Sequence, residues 1–378
     1  MDLAFFVSLL TLAMIKATPL VFGALCGLLG ERSGVINIGI EGMMLLGAFM
    51  AFMGSALFNQ WTGGVVPTNI SLLVGLLVGV ASAALVAALH AVLSIHYKID
   101  QVISGTVINL LAAGLTNYMA NVYIDPSHLS GVGVFPKLPI PLLSDIPVLG
   151  PIFFSHQPMV YLMLIMVIFL QYAVFNTPWG LRMRSVGEHP RAADTVGINV
   201  NRTRYLNVIL GGALAGLGGA YMVLESVGRF QKLMTSGRGF IALAALIFGR
   251  WTALGSFGSA LLFGFSEALG VRLQFGDINH IYALVVVCGL GVLGIGLFWL
   301  ARRLLSRGTP HKPFASIASA LLLGSGLLVA AKLVKFPHVS IPIEFLGLLP
   351  YILTIMVLTG FVKKAAGPAA IGKAYEKQ

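Results

Sequence analysis

Charge is what this sequence has least of. Asp, Glu, Lys and Arg make up 10% of its 378 residues, where a soluble globular chain carries about 25%. So few charged side chains cannot cover a particle dissolved in water. Cysteine is nearly missing as well. Cys26 and Cys288 both lie in apolar stretches and imply neither a disulfide nor a metal site. No Ser/His/Asp set, no Cys/His pair and no His/Cys cluster stands out, so the chain offers no catalytic and no metal-ligating constellation. The histidines, among them His90, His96, His156, His189, His280 and His338, read as loop and interface residues. There is no basic n-region before the first apolar run and no A-x-A stop after it. That run therefore reads as a first span rather than a cleaved signal. The tail segment GPAAIGKA (367–374) spaces its glycines like a nucleotide loop. Ala374 stands where the loop needs a Ser or Thr hydroxyl, and no strand precedes it, so the match is fortuitous. ATP hydrolysis is not expected on this chain, nor any cofactor bound to it.

Apolar residues and glycine are abundant. The hydrophobic share is 57% and mean hydropathy is +0.92, which makes the chain an all-α polytopic membrane protein. The 45 glycines suit close helix approach in lipid. Four-residue glycine spacings at Gly23 and Gly27, Gly75 and Gly79, and Gly212 and Gly216 read as packing faces. Apolar stretches run about 3–28, 36–57, 70–95, 101–121, 157–176, 203–225, 239–250, 255–272, 280–301, 315–332 and 345–362, against the roughly 20 residues needed to cross a bilayer. The stretch 239–250 is too short. It is either a half-helix re-entering beside 255–272 or one of a crossing pair, and the later spans keep the same parity in both cases. The expectation is about 10–11 transmembrane helices, some broken or re-entrant.

The net charge of +11 is no sign of nucleic acid, because the basic residues fall in short loops between spans. With 177–204 placed inside, sixteen Lys and Arg lie in inner segments, seven in outer ones, and Lys16 within the first span. By the positive-inside rule the N-terminus is outside and the C-terminus inside. The outer loop 122–156 carries Pro126, Pro136, Pro139, Pro141, Pro147 and Pro151. It cannot be helical throughout and reads either as an ordered cap or as a spacer.

Two stretches draw attention. In GERSGVINIGIEGMMLLGAF (30–49), Asn37 and Glu41 share a helix face among Gly34, Gly39, Gly42 and Gly47, which mark a kinked or interrupted helix. A carboxylate in a bilayer costs roughly 2.5–3.5 kcal/mol. Glu41 therefore faces the translocation path, pairs with Lys16, or accepts from backbone at a broken helix. Asn109 and Asn117 lie on similar faces of the fourth span, with Tyr118 and Asn121 beyond. They are either interhelical glue or a polar lining for a neutral, hydroxyl-rich solute. Glu225 and Glu267 read as reaching the outer interface. The second stretch, TPWGLRMRSVGEHPRAADTVGINVNRTR (177–204), is the most polar and basic loop in the chain and the natural grip for another protein.

ERSGVINIGIEGMMLLGAF, VGEHPRAADTVGINVNRTR and GRGFIALAALIFGRWTALGSFGSALLFG (237–264), in that order and spacing, resemble the permease subunits of bacterial ABC importers. The resemblance is to the branched-chain amino acid and simple-sugar permease superfamily, and nearest to its nucleoside permeases. It covers about residues 1–300. It implies a second permease, ATPase subunits beneath that hold ATP and magnesium, a substrate-binding lipoprotein outside, a small-molecule substrate and surrounding membrane lipid. It also implies that Gly187, Glu188, His189, Pro190, Arg191, Ala192, Ala193 and Gly197 form the coupling helix that enters the ATPase. His189 stands where that family more often has asparagine. Asn37, Glu41, Asn109 and Asn117 are the candidate substrate pathway. The domain reading is a permease core over 1–300 containing the coupling loop, then a basic linker, two further spans and a basic tail over 301–378. The rival readings are a self-sufficient secondary transporter or channel, for which the chain lacks midplane carboxylates beyond Glu41 and shows no clear repeat, and an integral-membrane enzyme.

Overall fold

A computed structural model describes residues 3–124, 131–275, 322–325, 327, 348 and 367–376. The chain divides into two compact units, Met1–Ala268 with Pro350–Gln378, and Leu269–Leu349. The helices are α1 (Leu3–Arg32), α2 (Ile40–Trp61), α3 (Thr68–Ala91), α4 (Gln101–Tyr123), α5 (Pro158–Asn176), α6 (Pro178–Glu188), α7 (Pro190–Thr195), α8 (Val200–Tyr221), α9 (Arg238–Phe248) and α10 (Ala253–Phe275). Short π-helical turns extend α3 over Val92–His96 and α8 over Met222–Val227. Among the described residues seven helices are long and apolar enough to cross a membrane, and α9 is not. The three stretches expected at 280–301, 315–332 and 345–362 lie almost wholly outside the described residues.

The centre of the first unit is α1, α2, α3 and α8, with α2 and α8 the most deeply buried spans. Backbones approach closely there because all three glycine pairs face a neighbouring helix. A Cβ at Gly23 would stand 2.7 Å from the Ala242 Cβ of α9, and one at Gly27 would stand 2.8 Å from Leu246. A Cβ at Gly79 would lie 2.6 Å from the Gly47 carbonyl oxygen of α2, and one at Gly216 would lie 2.9 Å from Val80 of α3. Lipid tails are as apolar as leucine, so such contacts rather than a hydrophobic drive hold the helices together. Pro19 lies inside α1 and cannot donate to the Ile15 carbonyl. The phenol of Tyr221, itself buried in α8, donates to that oxygen at 2.9 Å instead. This is the repair a bilayer demands of a freed carbonyl.

Between α1 and α2 the chain leaves the helix over residues 33–39. This is the interruption that the glycines foretold. Helix α9 packs along α1 and is only 11 residues long, about 16 Å, half a bilayer core. Its first N–H groups have no partner on their own helix, and Gly237, the N-cap, has no side chain to offer. Glu41 supplies both acceptors. Its Oε1 accepts from Gly237 N at 2.8 Å and its Oε2 from Gly239 N at 2.6 Å. So the backbone reading of Glu41 holds and pairing with Lys16 does not. Lys16 instead meets Glu267 at 3.1 Å, and Arg238 of α9 meets the same carboxylate at 2.7 Å. Glu267 therefore belongs to a three-charge cluster rather than to the interface.

The loop between α4 and α5 is ordered where described. Leu138–Pro139 (β1) pairs antiparallel with Ser155–His156 (β2), Leu138 opposite His156. Phe135 N and Val132 N donate to Leu224 O and Gly228 O at 2.9 Å, fastening the loop to the end of α8. Two further expectations fail here. Glu225 is buried and accepts from Met159 N at 2.7 Å. It stitches α8 to α5 rather than reaching water. His156 is buried with its Nε2 donating to Ile152 O, and His90 is buried between Ser104 Oγ and Ile36 O. Neither is a loop or interface residue.

Two substitutions test this packing. Glu41→Ala orphans two N–H groups in lipid and should cost about 3 kcal/mol, with Glu41→Gln losing about half of that. Thermal melting of the detergent-solubilised protein checks it, and equal melting of wild type and Glu41→Ala would contradict the capping role. Gly79→Leu should cost about 1–3 kcal/mol by overpacking. Gly114→Ala, where a Cβ meets nothing within 4 Å, should be neutral or stabilise by about 0.5–1 kcal/mol.

Candidate functional site

Helix α6 starts at Pro178, whose fixed φ suits a first-turn position, and Thr177 caps it by accepting from Gly180 N. His189, with φ −139° and ψ 79°, breaks the run. Pro190 then opens α7 in the same way that Pro178 opens α6. The end of α7 is a complete glycine stop. Gly197 has φ +85°, its N–H reaches Asp194 O at 2.9 Å, and Ile198 N reaches Ala193 O at 3.0 Å. Asn199 caps the next helix by accepting from Arg202 N at 2.9 Å. A helix–elbow–helix–stop–helix unit thus joins α5 to α8.

The residues expected to couple do not share one face. Glu188, His189, Arg191, Ala192 and Gly197 are exposed, Pro190 is half-buried, and Gly187 and Ala193 are buried. Ala193 points inward, into a small cluster with Val186, Ile198, Val200 and Tyr375. A Cβ at Gly187 would stand 2.2 Å from the Arg32 carbonyl oxygen, so α6 lies directly on the end of α1. The loop's arginines also divide. Arg184 and Arg32 lie over the Phe175 ring at 5.3 and 5.4 Å, a cation–π arrangement that ties α6 and α1 to α5. Arg204 is buried and donates to Ser33 O and Lys373 O. Only Arg182, Arg191 and Arg202 are exposed. Val196, at the stop of α7, is 75% exposed, which is unusual for a β-branched residue on an otherwise polar turn. A hydropathy scan of the loop passes over it, because one valine among charges has no periodicity.

The candidate pathway residues separate in the same way. Asn109 accepts from Gly42 N at 2.8 Å and donates to Ile38 O at 3.0 Å. It holds the broken start of α2 onto α4, as glue. Asn37 is buried, with its amide nitrogen near Met43 Sδ and its Oδ1 without a partner among the described residues. Asn117 is exposed. Thr106, Leu110, Gly114, Asn117 and Asn121 are exposed along one stripe of α4, since steps of three and four residues keep one helix face. At its far end Asn121 accepts from Lys232, and a cleft of about 200 Å³ lies between Asn121, Ile124, Phe230 and Lys232.

The chain matches, over residues 9–293, the family described as branched-chain amino acid transport system / permease component. It is 39% identical over 319 residues to the guanosine ABC transporter permease protein NupQ of Bacillus subtilis, covering 82% of this chain and 98% of that one. It is 34% identical to the nucleoside ABC transporter permease protein NupC of Lactococcus lactis, covering 96% and 95% of the two chains. It is 36% identical to the putative glucose ABC transporter permease protein TsgC13 of Haloferax volcanii, covering 72% and 79%. No solved structure matches significantly. With seven apolar helices already in place, the chain belongs to the branched-chain amino acid transport system permease family, the multi-pass cell-membrane subunits of ABC transporters.

Proposed function

We propose that this permease carries a nucleoside, or a related sugar-like solute, into the cell. It works beside a second permease, above ATPase subunits that hold ATP and magnesium, and beneath a substrate-binding lipoprotein. The observation that carries the substrate class is the likeness to the guanosine and nucleoside permeases over most of the chain. The glucose-named relative supports sugars as the second reading. The chain itself binds no cofactor in this scheme, and no residue of it acts catalytically.

The ATPase grips the exposed residues at and before α7, namely Glu188 at the end of α6, His189 at the elbow, and Arg191 and Ala192 of α7, with Val196 as the apolar contact. Gly187, Pro190, Ala193 and Gly197 shape and seat that helix. What supports this is the exposed, short and rigidly terminated helix on a loop fastened to α1, α5 and α8. The solute moves along the stripe of α4 that carries Thr106, Asn117 and Asn121. An exposed amide in a span is costly against lipid, so Asn117 and its neighbours face the second permease across the path. Glu41, Asn109 and Asn37 act beside it, by holding the broken start of α2.

Arg191→Glu combined with Val196→Asp should weaken ATPase binding by at least about 2 kcal/mol, roughly 30-fold, and abolish uptake without lowering the melting temperature. Undiminished co-purification of the ATPase would overturn the grip. In cells, labelled guanosine uptake should be competed by uridine and adenosine. Competition by leucine alone would overturn the nucleoside reading, and competition by glucose alone would favour the second one.

A further inference from the structure

Residues 367–376 return to the first unit and touch several turns on the side of the coupling loop. Ala370 N donates to Gly187 O at 2.9 Å, at the end of α6, and Ala369 N donates to Glu188 Oε2 at 3.1 Å. Gly372 N donates to Gly34 O at 3.1 Å in the α1–α2 break, and Arg204 of α8 holds Lys373 O at 3.0 Å. Gly367 packs on the Trp251 ring between α9 and α10. The glycines that imitate a nucleotide loop therefore have a structural use. Gly372 takes φ +74° directly beside Ile36.

Tyr375 adds an apolar side-chain contact to these. It is 9% exposed and is the aromatic member of the cluster under α7, whose other members are Val186, Ala193, Ile198 and Val200. Asp194 of α7 is its charged neighbour, and burial together with that carboxylate pushes the phenol up from its ordinary value. Helix α7 has six residues, far below the roughly 12–15 at which an isolated helix holds together in water. A tyrosine brings about 150–250 Å² of buried surface. The four side chains left without it are aliphatic, and three of them, Val186, Ile198 and Val200, lie on either side of α7.

We propose that the tail is a strap that fixes α7 to α6 and α8, with Tyr375 as the positioning residue that makes the coupling helix a rigid lever. This rests on the reading that an ATPase grips α7. Without the strap, motor closure would rotate α7 about His189 and Gly197 instead of tilting α5 and α8. Hydrolysis would continue and transport would lag.

The test uses the full complex in proteoliposomes, with labelled guanosine as the solute and ATP turnover measured in parallel. Tyr375→Ala should lower solute moved per ATP about tenfold while the ATPase stays bound, and Tyr375→Phe, which keeps the packing, should restore most of it. Tyr375→Leu should lower the ratio about two- to fivefold, and it carries the test if Tyr375→Ala fails to fold. Unchanged solute per ATP in Tyr375→Ala and Tyr375→Leu overturns the strap. A wild-type chain that neither binds the ATPase nor moves guanosine or glucose overturns the proposed function instead.

Discussion

Among the described residues, the polar contacts of the spans are arranged around the start of one helix, α9, that is too short to cross. A bilayer core offers no water to an unpaired N–H, and the 11 residues of α9 are too few to carry its start from one face of that core to the other. The carboxylate of Glu41 accepts from two of those N–H groups, and a negative charge at a helix N-terminus is favourable in itself. Glu41 reaches those groups from the first turn of α2, directly after the non-helical stretch 33–39. That break creates orphans of its own, which Asn109 binds at Gly42 N and Ile38 O, while His90 meets Ile36 O. Next to Glu41, Arg238 needs an anion, and Glu267 serves it together with Lys16. One half-helix thus dictates a chain of polar partners on α1, α2, α3, α4 and α10.

The apolar contacts obey a complementary constraint. Where the polar groups fix which elements meet, the glycines fix how closely. The Gly47–Gly79–Gly216 junction brings α2, α3 and α8 to backbone contact. With no long side chain between them, these helices have little room to slide past one another. Motion of α8 is therefore passed on to α2 and α3 rather than absorbed, as expected of packed elements with discrete arrangements. The same logic at Gly187, pressed on the Arg32 carbonyl, joins α6 to α1.

Much of this was legible from residue types alone. A run of 20 apolar residues can only be a span, so the spanning helices from α1 to α8 fall where hydropathy puts them. Gly-x-x-x-Gly pairs proved to be contact faces, and the Pro190 and Gly197 bounds of α7 come from local backbone chemistry. Partner choice was not legible. Glu41 could have met Lys16 or an N–H group, and only the fold decides, because the spacing of Glu41 from Gly237 is unrelated to any period. Glu225, Glu267, His90 and His156 looked interfacial, since polar residues near span ends usually snorkel. Here tertiary contacts satisfy them internally. Tyr375 was invisible for a different reason. A single tyrosine in a polar tail carries no pattern, and its partners lie some 180 residues away in sequence.

The tail contact bears on how force can enter the membrane domain at all. A lever must be stiffer than what it moves. Helix α7 cannot be stiff on its own hydrogen bonds, being six residues long between a kinked His189 and a left-handed Gly197. Stiffness has to come from behind it, and the surface behind it is the cluster of Val186, Ala193, Ile198, Val200 and Tyr375. That cluster is separate from the main core, so it can be loosened without unfolding the spans. Arg204 then matters twice: it is a buried side chain of α8 that reaches the α1–α2 turn, and it holds the tail's Lys373 carbonyl in the same grip. On the proposed reading, a push on α7 would pass through the tail to Arg204 and so to the turn that leads into α2, whose Glu41 holds the start of α9.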